Sequence, residues 1–375
     1  MSSLVHIWQL GLKELRSLWR ERLLLAFVLW AFTGAIYTAA KGAPDRLHRA
    51  PLAVVDEDRT PLSGRITEAF YPPTFMPPAH IDLREMDAGM DAGRYTFVLN
   101  IPPGFQRDVL AGRSPAIQLN VDATQMSQAF VGAGYIQSIA LGEVNEYLQR
   151  ERTQPVPPVD LAMRVRFNPS MNDSWFMGVM ELMSNVTMLS IILTGAALIR
   201  EREHGTIEHL LVLPLRPIEI MLAKVWSMAL VVLVATAASL YVIVQGALGM
   251  PISGSVPLFL VGCALHLFAT TSMGIYMGTV ARSMPQLGLL MILVLLPLQM
   301  LSGGQTPREN MPDIVANIML AAPTTHFVSL AQAILYRGAG VTIVWPQLAA
   351  IAAIGTVFFA GALWRFRSAV SRMQT

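Results

Sequence analysis

Between Arg200 and Lys224 charged residues, two histidines and a threonine stand together between two apolar runs. The stretch reads Arg-Glu-Arg-Glu-His-Gly-Thr-Ile-Glu-His-Leu-Leu-Val-Leu-Pro-Leu-Arg-Pro-Ile-Glu-Ile-Met-Leu-Ala-Lys. Gly205 permits a sharp break in a helix. Thr206 is a plausible N-cap for a short helix, with Glu208 in its first turn, where a carboxylate complements the helix dipole. Pro214 ends that helix and Pro217 starts the next. Leu210, Leu211 and Leu213 then form an apolar knob rimmed by charge, the composition of a docking element. An ordinary loop whose leucines fold back on a membrane fits the same residues. His204 and His209 stand beside Glu201, Glu203 and Glu208, but a five-residue spacing does not align two ligands on one helical turn. No metal site is expected there.

Other chemistry is excluded by absence. The chain has no G-x-x-x-x-G-K-[ST] phosphate loop, so ATP hydrolysis by this chain alone is not expected. It has no H-E-x-x-H zinc motif and no G-x-S-x-G elbow. Its single cysteine, Cys263, lies in an apolar run, so no intrachain disulfide or cysteine-based metal site can form. A net charge of +2 is too small for a nucleic-acid footprint.

The elements that position these residues are mostly apolar. Hydrophobic residues make up 53% of the 375 and charged residues 14%, with mean hydropathy +0.48. A soluble protein carries roughly one quarter charged residues, so this composition points to a membrane protein. Six runs are long enough to be spans: Leu23–Ala40, Trp175–Ile199, Met221–Leu248, Val256–Val280, Pro285–Ser302 and Trp345–Trp364. The first is about 27 Å long as a helix, close to a hydrocarbon core of about 30 Å. Its basic flank and the small residues after it also fit a cleaved signal peptide, but the long preceding segment and long apolar run favour an uncleaved span.

Lys and Arg in the short flanks set the orientation. Lys13, Arg16, Arg20, Arg22, Arg200, Arg202, Arg216, Lys224, Arg282, Arg365, Arg367 and Arg372 all fall on one side if there are six spans. The opposite short loops hold only Arg308 and Arg337. Both termini are therefore expected in the cytoplasm. Residues 1–22 read as an amphipathic helix, because Leu4, Trp8, Leu12, Leu15 and Trp19 share one face while Lys13, Arg16 and Arg20 occupy another. Such a helix lies in the membrane interface. The alternative is a core helix of a cytosolic subdomain.

Within the spans ionisable side chains are scarce. Glu181 lies early in the second span, where it is either a pathway residue or a solvated group at the wet end. His266 is either a proton relay or, as favoured here, a packed histidine. A carrier driven by protons or sodium keeps more intramembrane charge than this.

The segment 41–173 differs from the rest. It holds more than half of the 52 acidic and basic residues (27 Lys and Arg, 25 Asp and Glu). Strands are expected at Leu52–Val55, Tyr95–Ile101, Ala116–Val121 and Ala162–Phe167. Helices are expected at Thr60–Tyr71, Pro103–Ala111 and Ala123–Arg152. The alternation is that of a small α/β domain. The expected fold is a six-span α-helical membrane protein, with the α/β domain inserted between span one at 23–40 and a five-helix domain at 174–375.

At Glu201–Glu208, with Leu210, Leu211, Pro214, Glu219 and Lys224, the chain resembles the membrane subunit of ABC-type exporters, the type-2 permease family. Val54-Val55-Asp56-Glu57-Asp58 and Ile101-Pro102-Pro103-Gly104-Phe105 are similar to family signatures. So are Leu301-Ser302-Gly303-Gly304, the Pro307–Pro312 stretch and Pro323-Thr324-Thr325-His326-Phe327. Many relatives have Pro-Gly early in span two, where this chain has Gly178-Val179-Met180-Glu181. The resemblance implies that Glu201, Glu203, Gly205, Thr206, Glu208, Leu210, Leu211 and Pro214, in a cytosolic loop at 200–220, couple to a separate ABC ATPase subunit. It implies that Trp8, Leu12, Arg16 and Trp19 belong to an elbow helix, and that 303–344 is an external re-entrant region. Two permease copies or paralogues, a periplasmic adaptor protein and a bacterial inner-membrane location are implied as well. ATP would be bound by the partner, and no cofactor by this chain. An ion-coupled carrier and a membrane scaffold that does not transport are the other readings.

Overall fold

The computed structural model describes residues 3–42, 49–122, 126–151, 172–203, 215–306, 308 and 311–373. The chain divides into two compact units, one of Met1–Ala43 with Val165–Thr375 and the other of Pro44–Arg164.

The first unit is helical. Helix α1, Ser3–Arg20, breaks at Glu21. Helix α2, Arg22–Trp30, runs through a π-helical turn at Ala31–Ala35 into α3, Ile36–Gly42. Together α2 and α3 form one apolar rod of 21 residues. Four helices, α4 (Pro61–Glu68), α5 (Leu83–Asp91), α6 (Phe105–Leu110) and α7 (Met126–Glu151), belong to the second unit. The remaining helices of the first unit are α8 (Asp173–Glu203), α9 (Pro217–Ser239), α10 (Val256–Val280), α11 (Met284–Met300), α12 (Asp313–Ile318), α13 (Pro323–Leu335) and α14 (Val341–Met373). Helix α9 continues as a π-helix over Leu240–Ala247.

Five helices among the described residues are long and apolar enough to cross a membrane: Arg22–Gly42, Ser174–Glu203, Pro217–Ala247, Val256–Val280 and Val341–Ser368. The expected fifth span, Pro285–Ser302, falls on α11, an apolar helix of 17 residues, about 26 Å long and shorter than those five. Helix α12 with its following turn meets α13 at 89°, so Asp313–Leu335 is a broken span or a re-entrant loop.

Helix α10 sits centrally, sharing its apolar surface with α8, α9, α13 and α14. The approach to α8 is close because Gly274 lacks a side chain, and a Cβ there would lie 2.6 Å from the Ile191 carbonyl oxygen. Small residues let membrane helices meet in this way. Polar side chains cross the same contact. Ser190 Oγ donates to Thr270 Oγ1 at 2.7 Å, and Thr187 Oγ1 lies 2.9 Å from His266 Nε2.

In the second unit β1 (Leu52–Asp56), β2 (Ala79–His80), β3 (Phe97–Ile101) and β4 (Gln118–Val121) form one sheet in the order β2-β1-β3-β4. Strand β1 is parallel to β2 and β3, and β4 is antiparallel to β3. Helices α4 (Pro61–Glu68), α6 (Phe105–Leu110) and α7 (Met126–Glu151) belong to one side. Their Leu62, Ile66, Phe105, Val109, Ile136 and Ala140 pack with Leu52, Val54, Phe97 and Leu99. Helix α5 (Leu83–Asp91) covers the other face, with Met86 and Met90 near Ala53, Val55 and Val98. Burial on both faces explains why β1 and β3 read as continuous apolar runs rather than alternating ones. Thr60 caps α4 with Pro61 at its first position. Two elements, α5 and β2, have no counterpart among the expected ones. The expected strand Ala162–Phe167 lies outside the described residues.

Two sequence signatures meet in this unit. Gly104 takes φ +78° and caps α6, a left-handed conformation that glycine adopts at no steric cost. Asp58 Oδ2 accepts the Gln106 backbone N–H at 3.0 Å and the Thr60 hydroxyl at 2.6 Å. Asp56 accepts from Ser63 Oγ at 2.8 Å and from the backbone of Asp58 and Arg59. The acidic Val54–Asp58 run thus holds the start of α4 and docks α6 onto it.

Candidate functional site

The candidate site lies where α1, the end of α8 and the start of α9 converge. Lys224 is 2% exposed, and a buried cation needs paired carboxylates to offset its lost hydration. It has two. Its Nζ lies 2.7 Å from Glu201 Oε2 and 3.0 Å from Glu14 Oε1. Lys13 Nζ lies 2.8 Å from Glu201 Oε1 and 3.7 Å from Glu14 Oε1. Two lysines and two glutamates from three elements therefore form one network. Burial raises the Glu14 carboxyl above its ordinary range, against the pull of Lys224. For Lys13, burial acts to lower the ammonium, but Glu201 and Glu14 outweigh it and the net shift is upward.

Neighbouring residues tie the same elements further. Arg200 pairs with Glu21 at 3.0 Å. Arg202 donates to the Ala281 carbonyl at 2.7 Å, and Glu203 Oε1 accepts the Met284 backbone N–H at 3.1 Å. The end of α8 is thereby fixed to the α10–α11 connection. At the start of α9, Glu219 accepts the Arg216 backbone N–H at 2.8 Å, bonds Ser3 Oγ and lies 3.7 Å from His6 Nδ1. Both stems of the segment 204–214 are thus anchored. Of the coupling residues expected there, Gly205, Thr206, Glu208, Leu210, Leu211 and Pro214 lie outside the described residues, as do His204 and His209.

Helix α1 has two apolar faces with different fates. Gly11, Glu14 and Leu18 are buried, and Trp226 of α9 lies over Gly11. Trp226 stacks on Trp8 with centroids 5.0 Å apart and donates its Nε1–H to the Ile7 carbonyl at 3.2 Å. The stripe expected to enter the membrane interface stays largely uncovered by protein. Leu4 is 76%, Trp8 58% and Trp19 77% exposed, while Leu12 is half-buried and Arg16 exposed. The sequence reading missed Gly11, Glu14, Leu18, Lys224 and Trp226 as a group. Gly11, Glu14 and Leu18, spaced by three and four on one face of α1, were the available signal, but Lys224 and Trp226 lie more than 200 residues away.

Elsewhere, half-buried Glu181 accepts from Asn185 Nδ2 at 3.2 Å. Asn185 also donates to the Ala31 carbonyl at 2.9 Å, at the π-helical turn after α2. His266 is fully buried, bonded to Thr187 and stacked on Phe327 with centroids 4.1 Å apart. The structure does not bring Glu181, His266 and the ionic network together into one cluster.

Comparisons with known proteins agree in kind. A family model described as ABC-2 family transporter protein matches residues 22–364, beginning just after α1. The chain is 61% identical over 373 residues to the inner membrane transport permease YhhJ of Escherichia coli (strain K12), covering 100% of both chains. It is 27% identical over 349 residues to the "Probable multidrug ABC transporter permease YbhR" of the same strain, covering 92% of this chain and 93% of that one. A third relative, YbhS of that strain, carries the same printed description and is 27% identical over 293 residues, covering 75% and 74%.

Proposed function

The chain belongs to the ABC-2 family of transporter proteins, and on that premise we propose that it is the permease subunit of an ATP-driven exporter. ATP is bound and hydrolysed by a separate ABC ATPase subunit. Two permease copies, or this chain and a paralogue, form the path for a hydrophobic or amphipathic cargo leaving the cytoplasm or inner membrane. The printed names of YbhR and YbhS speak of multidrug transport, which fits a cargo of that kind. The protein lies in a bacterial inner membrane with both termini cytoplasmic. Residues 41–173 form a periplasmic domain that a periplasmic adaptor protein contacts, and 303–344 is the external re-entrant region.

The observation that carries this reading is the anchoring of both stems of 204–214. A docking element transmits work only if its displacement moves the helices it joins. Here Glu201 before the segment and Lys224 after it are paired with each other and with α1. A push on Gly205–Pro214 is therefore passed to α1, α8 and α9 as one body. In this reading Glu208, Leu210 and Leu211 meet the ATPase, Thr206 and Pro214 bound the element, and Glu201 and Glu203 hold its stem. Trp8, Leu12, Arg16 and Trp19 form the elbow helix in the membrane interface, where an exposed aromatic stripe is stable. The two states of the ATPase need differ by only a few kcal/mol in their contacts with this element to shift the permease. Leu210→Ala in an inserted and assembled complex should lose ATP-driven export while the spans stay folded; export at the wild-type rate would refute the coupling role.

A further inference from the structure

The sheet-bearing unit carries a half-open cleft of about 690 Å³. Leu99 and Leu119 from the sheet, Val109 from α6, and Ile136 and Val144 from α7 line it. The loop between α6 and β4 adds Gly112 to Pro115. The volume falls within the roughly 300–1,000 Å³ of small-molecule sites, which are apolar with a few placed polar groups. The polar groups here are Arg113, Ser114 and Gln137.

At the α6 end two cations meet one anion. Arg107 Nε lies 3.1 Å from Asp108 Oδ1, and Arg113 bonds the same oxygen. Two guanidiniums share one carboxylate, and their side chains are 75% and 60% exposed. These three side chains carry one net positive charge, and Arg113 is the one among them that lines the cleft. We propose that this cleft binds a single-chain amphiphile with an anionic head, its chain against Leu119 and Val144 and its head at Arg113. The site stands on this unit alone, whether or not the chain couples to an ATPase.

The test uses the full-length protein in nanodiscs and a long-chain fatty acid carrying a diazirine near the chain end. After illumination, labelled peptides are mapped by mass spectrometry. The expected result is label within residues 99–110 and 133–148 that an unlabelled fatty acid competes away. Ala133→Trp, which fills the cleft, should cut that label at least about tenfold while label on the spans stays constant. Leu119→Lys, on the edge strand, provides a second variant with the same expectation. Arg113→Gln should weaken the acid at least about tenfold but leave an equally long photoactivatable alcohol unaffected. Label confined to the spans, or cleft label unchanged in both Ala133→Trp and Leu119→Lys, would overturn the site. Equal competition by acid and alcohol in the wild type would overturn the anionic head.

Discussion

Lys224 and Glu201 face each other at 2.7 Å from opposite sides of the segment 204–214, one in α9 and the other in α8. Glu14 of α1 completes the contact at 3.0 Å from the same ammonium. An ion pair placed this way joins the end of α8 to the start of α9, and Glu14 ties both to α1.

Removing one member of this network should be costly. Breaking a buried pair leaves a charge uncompensated, at about 3–5 kcal/mol. Lys224→Met therefore lowers the thermal midpoint of the solubilised protein. Lys224→Met with Glu14→Gln recovers part of the loss, because one stranded carboxylate is gone. A double-mutant cycle should give a coupling energy above about 1 kcal/mol, and strictly additive losses would show that the pair is not coupled.

The seat of α1 on α9 depends on a missing side chain. A Cβ at Gly11 would lie 2.1 Å from Trp226 Cζ2, within a ring held by stacking on Trp8 and a bond to Ile7. Gly11→Ala should cost about 1–3 kcal/mol by overpacking. Trypsin should then cut at Lys13 and Arg16 faster than in the wild type. Unchanged cleavage would mean that α1 is not seated through Trp226.

The spans were legible because apolar runs of this length have few other uses. The sheet strands β1 and β3 were legible for the same reason. Helix α5 was not, since its stripe of Leu83, Met86 and Met90 is short and set among four acids in Asp82–Asp91, and β2 has only two residues. The π-helical turns at Ala31–Ala35 and Leu240–Ala247 leave no mark in composition, because a change in hydrogen-bond spacing requires no special residue. Along α1 the aromatic stripe was visible, but the face that packs was not. Glu14 reads as a solvated charge until Lys224 is beside it. The coupling role proposed for 205–214 came from a family resemblance, not from the residue pattern, and those residues lie outside the described ones.

His266 behaves as a packed residue in this account. His266→Phe keeps a ring against Phe327 but leaves Thr187 with only its bond to the Met183 carbonyl, a loss of about 0.5–1.5 kcal/mol. Adding Thr187→Val should restore part of that stability, because both polar partners are then removed. The pH profile of export between about 5.5 and 8 should not change in the double variant. A profile that loses an inflection would instead give His266 a proton-transfer role.

The sheet-bearing unit should weaken in acid through Asp58. Partial burial acts to raise its carboxyl, but the Thr60 hydroxyl and the backbone N–H groups of Gln106, Gly104 and Phe105 outweigh it and hold it below the ordinary range. A depressed carboxylate contributes stability that is present above its unfolded pKa, about 3.9, and lost as pH falls through the lower folded value. Hydrogen exchange at residues 56–63 and 104–110 should therefore accelerate relative to the helical unit below about pH 4. Asp58→Asn should remove that dependence, and an identical acid response in the variant would assign it to another group.

The most direct measurement is affinity purification of the protein from its native membrane in mild detergent, with identification of the chains that accompany it. The account predicts an ABC ATPase chain held by the wild type and lost from Leu210→Asp and Glu208→Lys variants that remain folded. Intact protein without any ATPase, or an ATPase held equally by those variants, would contradict the assignment of 205–214 as the coupling element.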